Sequence, residues 1–195
     1  MSDSRSAPTL LDGLELLERA VGYTLGSLQL VTPDALSRPT PCEGWDLGAL
    51  LSHMNDSLLA LQEAVDVGGI DLAPASEDHG ACDDPVTALR NRACQMLGAW
   101  TAGEVAHAAY IGGFPVSVSD VTGAGAVEVA VHGWDVAQAC GGGRPLPPRL
   151  AEDLLTCAQR YVTPADRPVR FADPLGLSQH AAADERLLAF LGRRH

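Results

Sequence analysis

The chain has 195 residues, of which 46% are hydrophobic and 19% are charged, a composition typical of a folded domain with a sizeable core. Its formal net charge of −12 disfavours nucleic acid as a partner, because the phosphates would be repelled. All thirteen basic residues are Arg, and the absence of Lys excludes Schiff-base chemistry and a lysine nucleophile.

The sequence contains no segment that predicts export or membrane insertion. The N-terminal run MSDSRSAPT is polar, and no signal-peptide core follows it. No apolar run approaches the roughly 18 residues that a spanning helix needs. The five cysteines are scattered and never in CxxC spacing, which favours reduced thiols. We therefore expect a cytoplasmic protein that binds neither membrane nor nucleic acid.

Apolar residues at spacings of three and four predict amphipathic helices in the first half of the chain. The first helix covers about residues 9–31, and a proline-rich connection follows at 32–45. The second begins after Asp46, which has the position of an N-cap, and runs to about residue 67. A loop rich in Gly, Pro and acidic residues is expected at 68–83.

The second half continues the alternation of helices and connections. A third helix starts at Pro85, with Asp84 as its cap. β-Branched and aromatic residues near 107–119 predict a short extended excursion or hairpin. A fourth helix covers about 121–139 and ends at three glycines, and a fifth covers about 149–161. The tail segment DERLLAFLGRR adds a last helical turn or two.

This order of elements predicts an all-α fold. Four main helices without a convincing sheet are typical of a four-helix bundle. The Gly- and Pro-rich loops have the character of connections, and no internal repeat is visible. We expect a single domain over residues 1–195, with the bundle in about 8–145 and a C-terminal helix and tail in about 146–195.

Glu128 and His132 are the most informative pair in the sequence. Four residues is about one helical turn, so both side chains project from the same face of the fourth helix. Their neighbours are apolar, and a charged Glu buried there costs several kcal/mol unless it is paired. A metal ion would use both side chains at once.

His53 supplies a third donor from the second helix. The residues that share its helix face are mostly small or apolar, so the imidazole is expected to point inward. Two imidazoles and one carboxylate leave a coordination position open, as in catalytic zinc sites. The alternative is that His53, Glu128 and His132 only hydrogen-bond to one another. The remaining histidines are expected to be structural or exposed: His79, His107, His180 and His195.

Two segments carry a family resemblance. The first is TPCEGWDLGALLSHM (Thr40–Met54) and the second is EVAVHGWDVAQACG (Glu128–Gly141). Together they resemble the DinB-like superfamily, and more closely the N-terminal domain of mycothiol-dependent maleylpyruvate isomerases and their actinobacterial metal-binding relatives. The resemblance covers about residues 8–145.

The resemblance implies a four-helix bundle that holds a divalent metal, usually zinc, through His53, Glu128 and His132. Nickel, iron or manganese would accept the same donors. It also implies that the metal activates the sulfur of mycothiol or bacillithiol for isomerisation, transfer or conjugation. The isomerases carry a substantial C-terminal domain, whereas about 50 residues follow the bundle here. The resemblance therefore favours the metal site over the specific isomerase reaction.

Other polar residues have two interpretations each. Asp135 lies on the face of His132 and could orient a ligand imidazole, act as a catalytic base or acid near the open position, or be a surface carboxylate. Cys42 precedes a helix N-terminus, which would favour a thiolate, but the simpler interpretation is a loop-packing residue. Arg90 or Arg92 could contact the thiol.

Three functions are compatible with the sequence. The first is a metal- and thiol-dependent transferase or isomerase, whose partners are a small-molecule thiol, mycothiol as cosubstrate, and an electrophilic substrate. The second is a metal-dependent hydrolase without thiol. The third is a non-catalytic metal- or ligand-binding bundle. If the protein self-associates, a homodimer is the expected assembly.

Overall fold

The computed structural model describes residues 10–66, 69–70, 84–102, 108–111, 114–167, 170–178 and 180–194. Six α-helices account for most of these residues: α1 Leu10–Ser27, α2 Leu47–Asp66, α3 Pro85–Ala102, α4 Val118–Ala139, α5 Pro148–Tyr161 and α6 Ala183–Phe190. Three short strands accompany them: β1 Gly69–Ile70, β2 Ala108–Ile111 and β3 Phe114–Ser117.

The first four helices form the bundle that the sequence predicts. α1 lies along α4, and α2 contacts both α3 and α4. α5 packs against α4 and α1, and α6 packs against α5. The all-α prediction, with an extra C-terminal helix, is therefore confirmed.

Capping residues set the helix starts that the sequence predicts. The Oδ1 atom of Asp46 accepts the backbone N–H of Ala49 at 2.8 Å, one turn into α2. The Asp84 carboxylate accepts the N–H groups of Val86 and Thr87 at 3.1 and 3.2 Å. Each cap satisfies N–H groups that the first helical turn leaves without an intrahelical partner.

The limits of α1 and α4 differ from the prediction. α1 ends at Ser27, where a 3₁₀ turn over Leu28–Leu30 continues it, so the predicted end near residue 31 is too late. α4 begins three residues earlier than predicted because the Ser117 hydroxyl caps it, accepting the N–H of Asp120 at 3.1 Å. Its C-terminal stop is confirmed: Gly141 has a φ of +73°, a conformation that favours glycine.

The predicted hairpin near residues 107–119 is present. β2 and β3 pair antiparallel, with Ala109 opposite Val116. The prediction of a loop at 68–83 is wrong for Gly69–Ile70, because these residues form β1 and pair parallel with β2. Two residues are too few to show the alternation that predicts a strand. His79 and the acidic residues 77–83 lie outside the described residues, as do His107 and His195.

One hydrophobic core joins the bundle to the C-terminal helices. It contains Leu17 of α1 and Trp134 of α4 together with Leu154 of α5 and Leu187 of α6, all fully buried. This continuous core is consistent with a single domain over residues 1–195. The single domain stays a prediction. Within the described part of the chain, no helix is both long and apolar enough to cross a membrane.

Candidate metal centre

Three side chains from two helices converge where α2 crosses α4. The Nε2 atom of His53 lies 2.7 Å from Glu128 Oε1, and the Nε2 atom of His132 lies 3.2 Å from the same oxygen. The Ser57 hydroxyl, one turn after His53, also donates to Glu128 Oε1 at 3.2 Å. The predicted donors therefore meet around one carboxylate oxygen.

The donor set fits a small divalent cation. One atom each from His53, Glu128 and His132 lies within 4.8 Å of the others. Ligands about 2.0–2.2 Å from a tetrahedral zinc ion lie roughly 3.3–3.6 Å from one another. The separations of 2.7 and 3.2 Å here are hydrogen-bond distances, so the donor atoms would move slightly apart around an ion. Two imidazole nitrogens and one carboxylate oxygen are also a set that zinc accepts.

The three side chains differ in their access to solvent. His132 is buried, whereas about a third of the His53 and Glu128 side chains remains exposed. The site is therefore closed at His132 and open at His53 and Glu128. The exposed Trp45 flanks that opening, with its ring centre 4.8 Å from that of His53.

Glu128 and His132 stabilise each other's charged forms. Burial alone would raise the pKa of Glu128, but the charge of His132 and hydrogen bonds from both histidines hold it well below its usual range. Burial alone would lower the pKa of His132, but the Glu128 charge and a hydrogen bond to Asp135 raise it well above its usual range. Without a cation, the pair is an ion pair.

Asp135 lies directly behind His132. It is fully buried, and its Oδ2 atom accepts a hydrogen bond from His132 Nδ1 at 2.9 Å. This contact leaves the Nε2 atom of His132 turned towards Glu128. The surface-carboxylate interpretation of Asp135 is therefore wrong, and the orienting interpretation is favoured.

A cleft of about 1340 Å³ opens in front of the donors. One wall comes from the loop before α2, including Cys42 and Trp45, and the floor includes His53, Glu128 and His132. The other wall is the C-terminal segment at 170–175 and 191–194. The tail of the chain therefore contributes to the site.

Residues 17–137 match the mycothiol maleylpyruvate isomerase N-terminal domain, a stretch that contains all three donors and covers more than half of the chain. The protein belongs to this family. The predicted resemblance is therefore confirmed.

Two uncharacterized proteins from two strains of Mycobacterium tuberculosis are similar to this chain over almost its whole length. Each is 27% identical over 202 residues, covering 94% of this chain and 98% of the relative. No solved structure matches the chain. The similarity to these relatives therefore includes most of the residues after 137, which the family match leaves out.

Cys42 is not only a loop-packing residue, because its sulfur contacts the polar residues of the candidate site. Its Sγ atom lies 3.2 Å from Asp135 Oδ2 and 3.8 Å from His132 Nδ1. Cys42, His132 and Asp135 therefore form a second cluster of potential metal donors, which shares His132 with the first. In the sequence, Cys42 is marked by its place in the TPCEGW segment of the family resemblance and by its position just before α2.

The arginines of the cleft differ from those that the sequence suggested. Arg90 and Arg92 on α3 do not line it. Arg170, Arg193 and Arg194 line it instead, and Arg193 contacts Asp135. These residues lie far from the family motifs in the sequence, and no spacing pattern links them to His132.

Proposed function

We propose that this protein binds a divalent cation, with zinc as the first choice, through His53, Glu128 and His132. We further propose that it uses the cation to activate a low-molecular-weight thiol, mycothiol as the expected cosubstrate, for transfer to or isomerisation of an electrophile. The observation that carries the proposal is the convergence of three nitrogen and oxygen donors at the floor of a large cleft.

A cation bound there would lower the pKa of a coordinated thiol, so that a thiolate is available near neutral pH. The chain itself provides the positioning. Asp135 holds the His132 ring, Ser57 holds the Glu128 carboxylate, and the more exposed face of His53 leaves the site accessible from the cleft.

The size of the cleft favours two reactants over a single small one. Sites for small molecules usually enclose about 300–1000 Å³, and the cleft here measures about 1340 Å³. A thiol that carries sugar groups can fill part of this space and leave room for an electrophile beside the sulfur.

We propose that Asp135 acts as a positioning residue and not as the catalytic base or acid. Burial would raise its pKa, but the hydrogen bond from His132 and the charge of Arg193 lower it. Its oxygens are engaged by His132 and Arg193, and the carboxylate has no exposed surface. A group in that environment is poorly placed to exchange protons with a substrate.

The metal site is tested by elemental analysis of the purified protein. We expect stoichiometric metal in the wild type and its loss in His53→Ala and His132→Ala, because each removes one of three donors. His180→Ala is the matched control, since His180 is exposed in the C-terminal tail. Full metal occupancy in both donor variants would contradict the proposed site.

The reaction is tested with the metal-loaded protein, mycothiol and a panel of activated alkenes and epoxides. We expect product only when metal and thiol are both present, and none with His132→Ala. Ester or amide hydrolysis without thiol would contradict the thiol mechanism and favour the hydrolase. Stable metal binding without any turnover would favour a binding protein.

A further inference from the structure

We propose that Arg193, which follows α6, is a positioning residue of the metal centre. It fixes the Asp135 carboxylate that orients His132, and so the C-terminal segment completes the site. This inference rests on the proposed metal site, and the experiment below separates a failure of one from a failure of the other.

The contact between Arg193 and Asp135 involves both oxygens of the carboxylate. The Nη2 atom lies 3.0 Å from Oδ2, and the Nε atom lies 3.3 Å from Oδ1. Such a two-point contact fixes the plane of the carboxylate as well as its position. Because Oδ2 also accepts the hydrogen bond from His132, fixing the carboxylate fixes the imidazole.

The burial of the pair shows that Asp135 depends on Arg193. The Asp135 side chain is fully buried, and only 13% of the Arg193 side chain is exposed. A buried carboxylate that loses its cationic partner is strongly destabilised. Without Arg193, the carboxylate keeps its contacts with His132 and Cys42 at Oδ2 but loses the contact at Oδ1 that fixes its plane, and its hydrogen bond with His132 changes.

The backbone at the end of α6 aims Arg193 at the site. Gly192 has a φ of +76°, and its N–H donates to the carbonyl of Ala189 at 3.1 Å. The N–H of Arg193 donates to the carbonyl of Leu188 at 2.8 Å. These two bonds form a Schellman motif, which ends the helix and reverses the chain. The direction of Arg193 is therefore set by a defined turn.

Arg193 also distinguishes between the two donor clusters that share His132. Its Nη2 atom lies 3.4 Å from Cys42 Sγ and 3.0 Å from Asp135 Oδ2. A guanidinium group stays protonated in proteins, so a fixed positive charge lies against two of the three donors of the second cluster. This charge disfavours a cation at Cys42, His132 and Asp135 and leaves the Nε2 side of His132 for the ion.

Arg194 provides a matched control. It is the next residue, carries the same charge and lines the same cleft. It is exposed, and no contact between it and Asp135 occurs in the part of the chain that the structure describes. Arg194→Ala removes one positive charge from the cleft wall, as Arg193→Ala does. Unlike Arg193→Ala, it keeps the contact between Arg193 and Asp135.

The test measures zinc affinity by competition with a chromogenic chelator. We expect Arg193→Ala to bind zinc about tenfold more weakly, the lower end of the effect of losing a residue that supports a metal ligand. Arg194→Ala should bind as the wild type does. Arg193→Lys keeps the charge but cannot contact both carboxylate oxygens, so we expect intermediate affinity, and this variant carries the test if the alanine variant does not fold.

A double-mutant cycle tests whether Arg193 acts through Asp135. In Asp135→Asn the amide oxygen can still accept the hydrogen bond from His132, but the negative charge that pairs with Arg193 is removed. We expect Arg193→Ala to have no further effect on zinc affinity in that background. The visible spectrum of the cobalt-substituted protein should change in Arg193→Ala and not in Arg194→Ala, because the spectrum reports ligand geometry.

The outcomes separate the two proposals. If the wild type binds no zinc or cobalt, the proposed function fails and this inference with it. If the wild type binds zinc and a folded Arg193→Ala has the same affinity and cobalt spectrum, only this inference is overturned. An equal loss in Arg193→Ala and Arg194→Ala would also overturn it, since the effect would then be one of charge alone.

Discussion

At the scale of single residues, His132 is the centre of the site because its two ring nitrogens have different partners. Nδ1 faces the buried Asp135 and Nε2 faces Glu128. Both contacts involve carboxylates, so the metal-free protein favours the doubly protonated imidazolium. A metal ligand must be neutral at the coordinating nitrogen, and cation binding therefore competes with one proton at Nε2.

We predict that metal affinity rises with pH. Because the pKa of His132 is raised well above its usual range, the imidazolium must lose a proton on binding throughout the range below that pKa. The apparent affinity should increase about tenfold per pH unit for each proton released, and level off once the pH exceeds the raised pKa. Zinc titrations at several pH values check this.

Asp135→Asn provides the comparison for the pH prediction. Removal of the charge lowers the pKa of His132, since the hydrogen bond to Asp135 is one cause of its rise. The pH at which affinity levels off should therefore move downward in this variant. An affinity that does not depend on pH in the wild type would contradict an ion-pair state of Glu128 and His132.

We predict that Cys42→Ser leaves the zinc affinity close to that of the wild type. The sulfur belongs to the second donor cluster, next to the guanidinium of Arg193, and not to the set of His53, Glu128 and His132. Serine keeps a hydrogen-bond donor at the position. Zinc titration of both proteins measures this, and a large loss in Cys42→Ser would show that the ion binds at the other face of His132.

The residues of the site differ in how far the sequence predicts them. His53, Glu128 and His132 follow from helical spacing within apolar segments, and Asp135 follows from its position three residues after His132. Cys42 and Arg193 do not, because 151 positions separate them and only the packing of the tail against the bundle brings them to 3.4 Å. Local patterns predict neighbours on one helix, but not contacts made by distant loops.

At the scale of secondary-structure elements, the site depends on the close approach of α1 and α4. The Thr24 hydroxyl of α1 donates to the carbonyl of Val129 at 2.8 Å, in the turn of α4 between Glu128 and His132. Gly133 makes this approach possible, because a Cβ atom there would lie 3.0 Å from the Thr24 Cα atom. Gly133 thus has a packing role in addition to its place beside His132, a proposed metal ligand.

We predict that Gly133→Ala destabilises the protein by about 1–3 kcal/mol, the usual cost of adding a methyl group to a closely packed contact. The matched control is Gly98→Ala in α3, where a Cβ atom meets nothing within 4 Å. There the higher helix propensity of alanine should stabilise the fold by about 0.5–1 kcal/mol. Urea unfolding of both variants compares them, and effects of the same sign would contradict the packing argument.

The elements themselves are largely predictable because their ends carry strong local signals. Asp46 and Asp84 at helix starts and Gly141 at a helix end each fix a boundary through a hydrogen bond or a backbone conformation. The predicted start of α4 is too late because Ser117 is both the last residue of β3 and the N-cap of the helix, so no connection separates the two elements. β1 could not be predicted, since its pairing with β2 is a tertiary contact between distant segments.

At the scale of the whole molecule, the proposed metal joins segments that are far apart in the sequence. The loop before α2, α2 itself, α4 and the end of α6 all contribute contacts around His132. Their hydrophobic core is continuous as well, from α1 to α6. The proposed cation binding therefore depends on the folded arrangement of all these segments and is expected to stabilise them as a unit.

We predict that zinc raises the melting temperature of the metal-free protein. A ligand that binds only the folded state stabilises it by about 2.7 kcal/mol at a free concentration of one hundred times its dissociation constant. For a chain of this length, each kcal/mol shifts the melting temperature by about 2–4 °C, so the expected rise is about 5–10 °C.

The variants of the donor set decide whether that rise comes from the proposed site. His53→Ala should melt at a temperature that does not depend on zinc, whereas His180→Ala should show the full rise, because its imidazole is exposed in the tail. A chelator should reverse the effect in the wild type. If His53→Ala gained as much from zinc as the wild type, the stabilising ion would have to lie elsewhere, since three-donor coordination at the crossing of α2 and α4 requires the His53 ring.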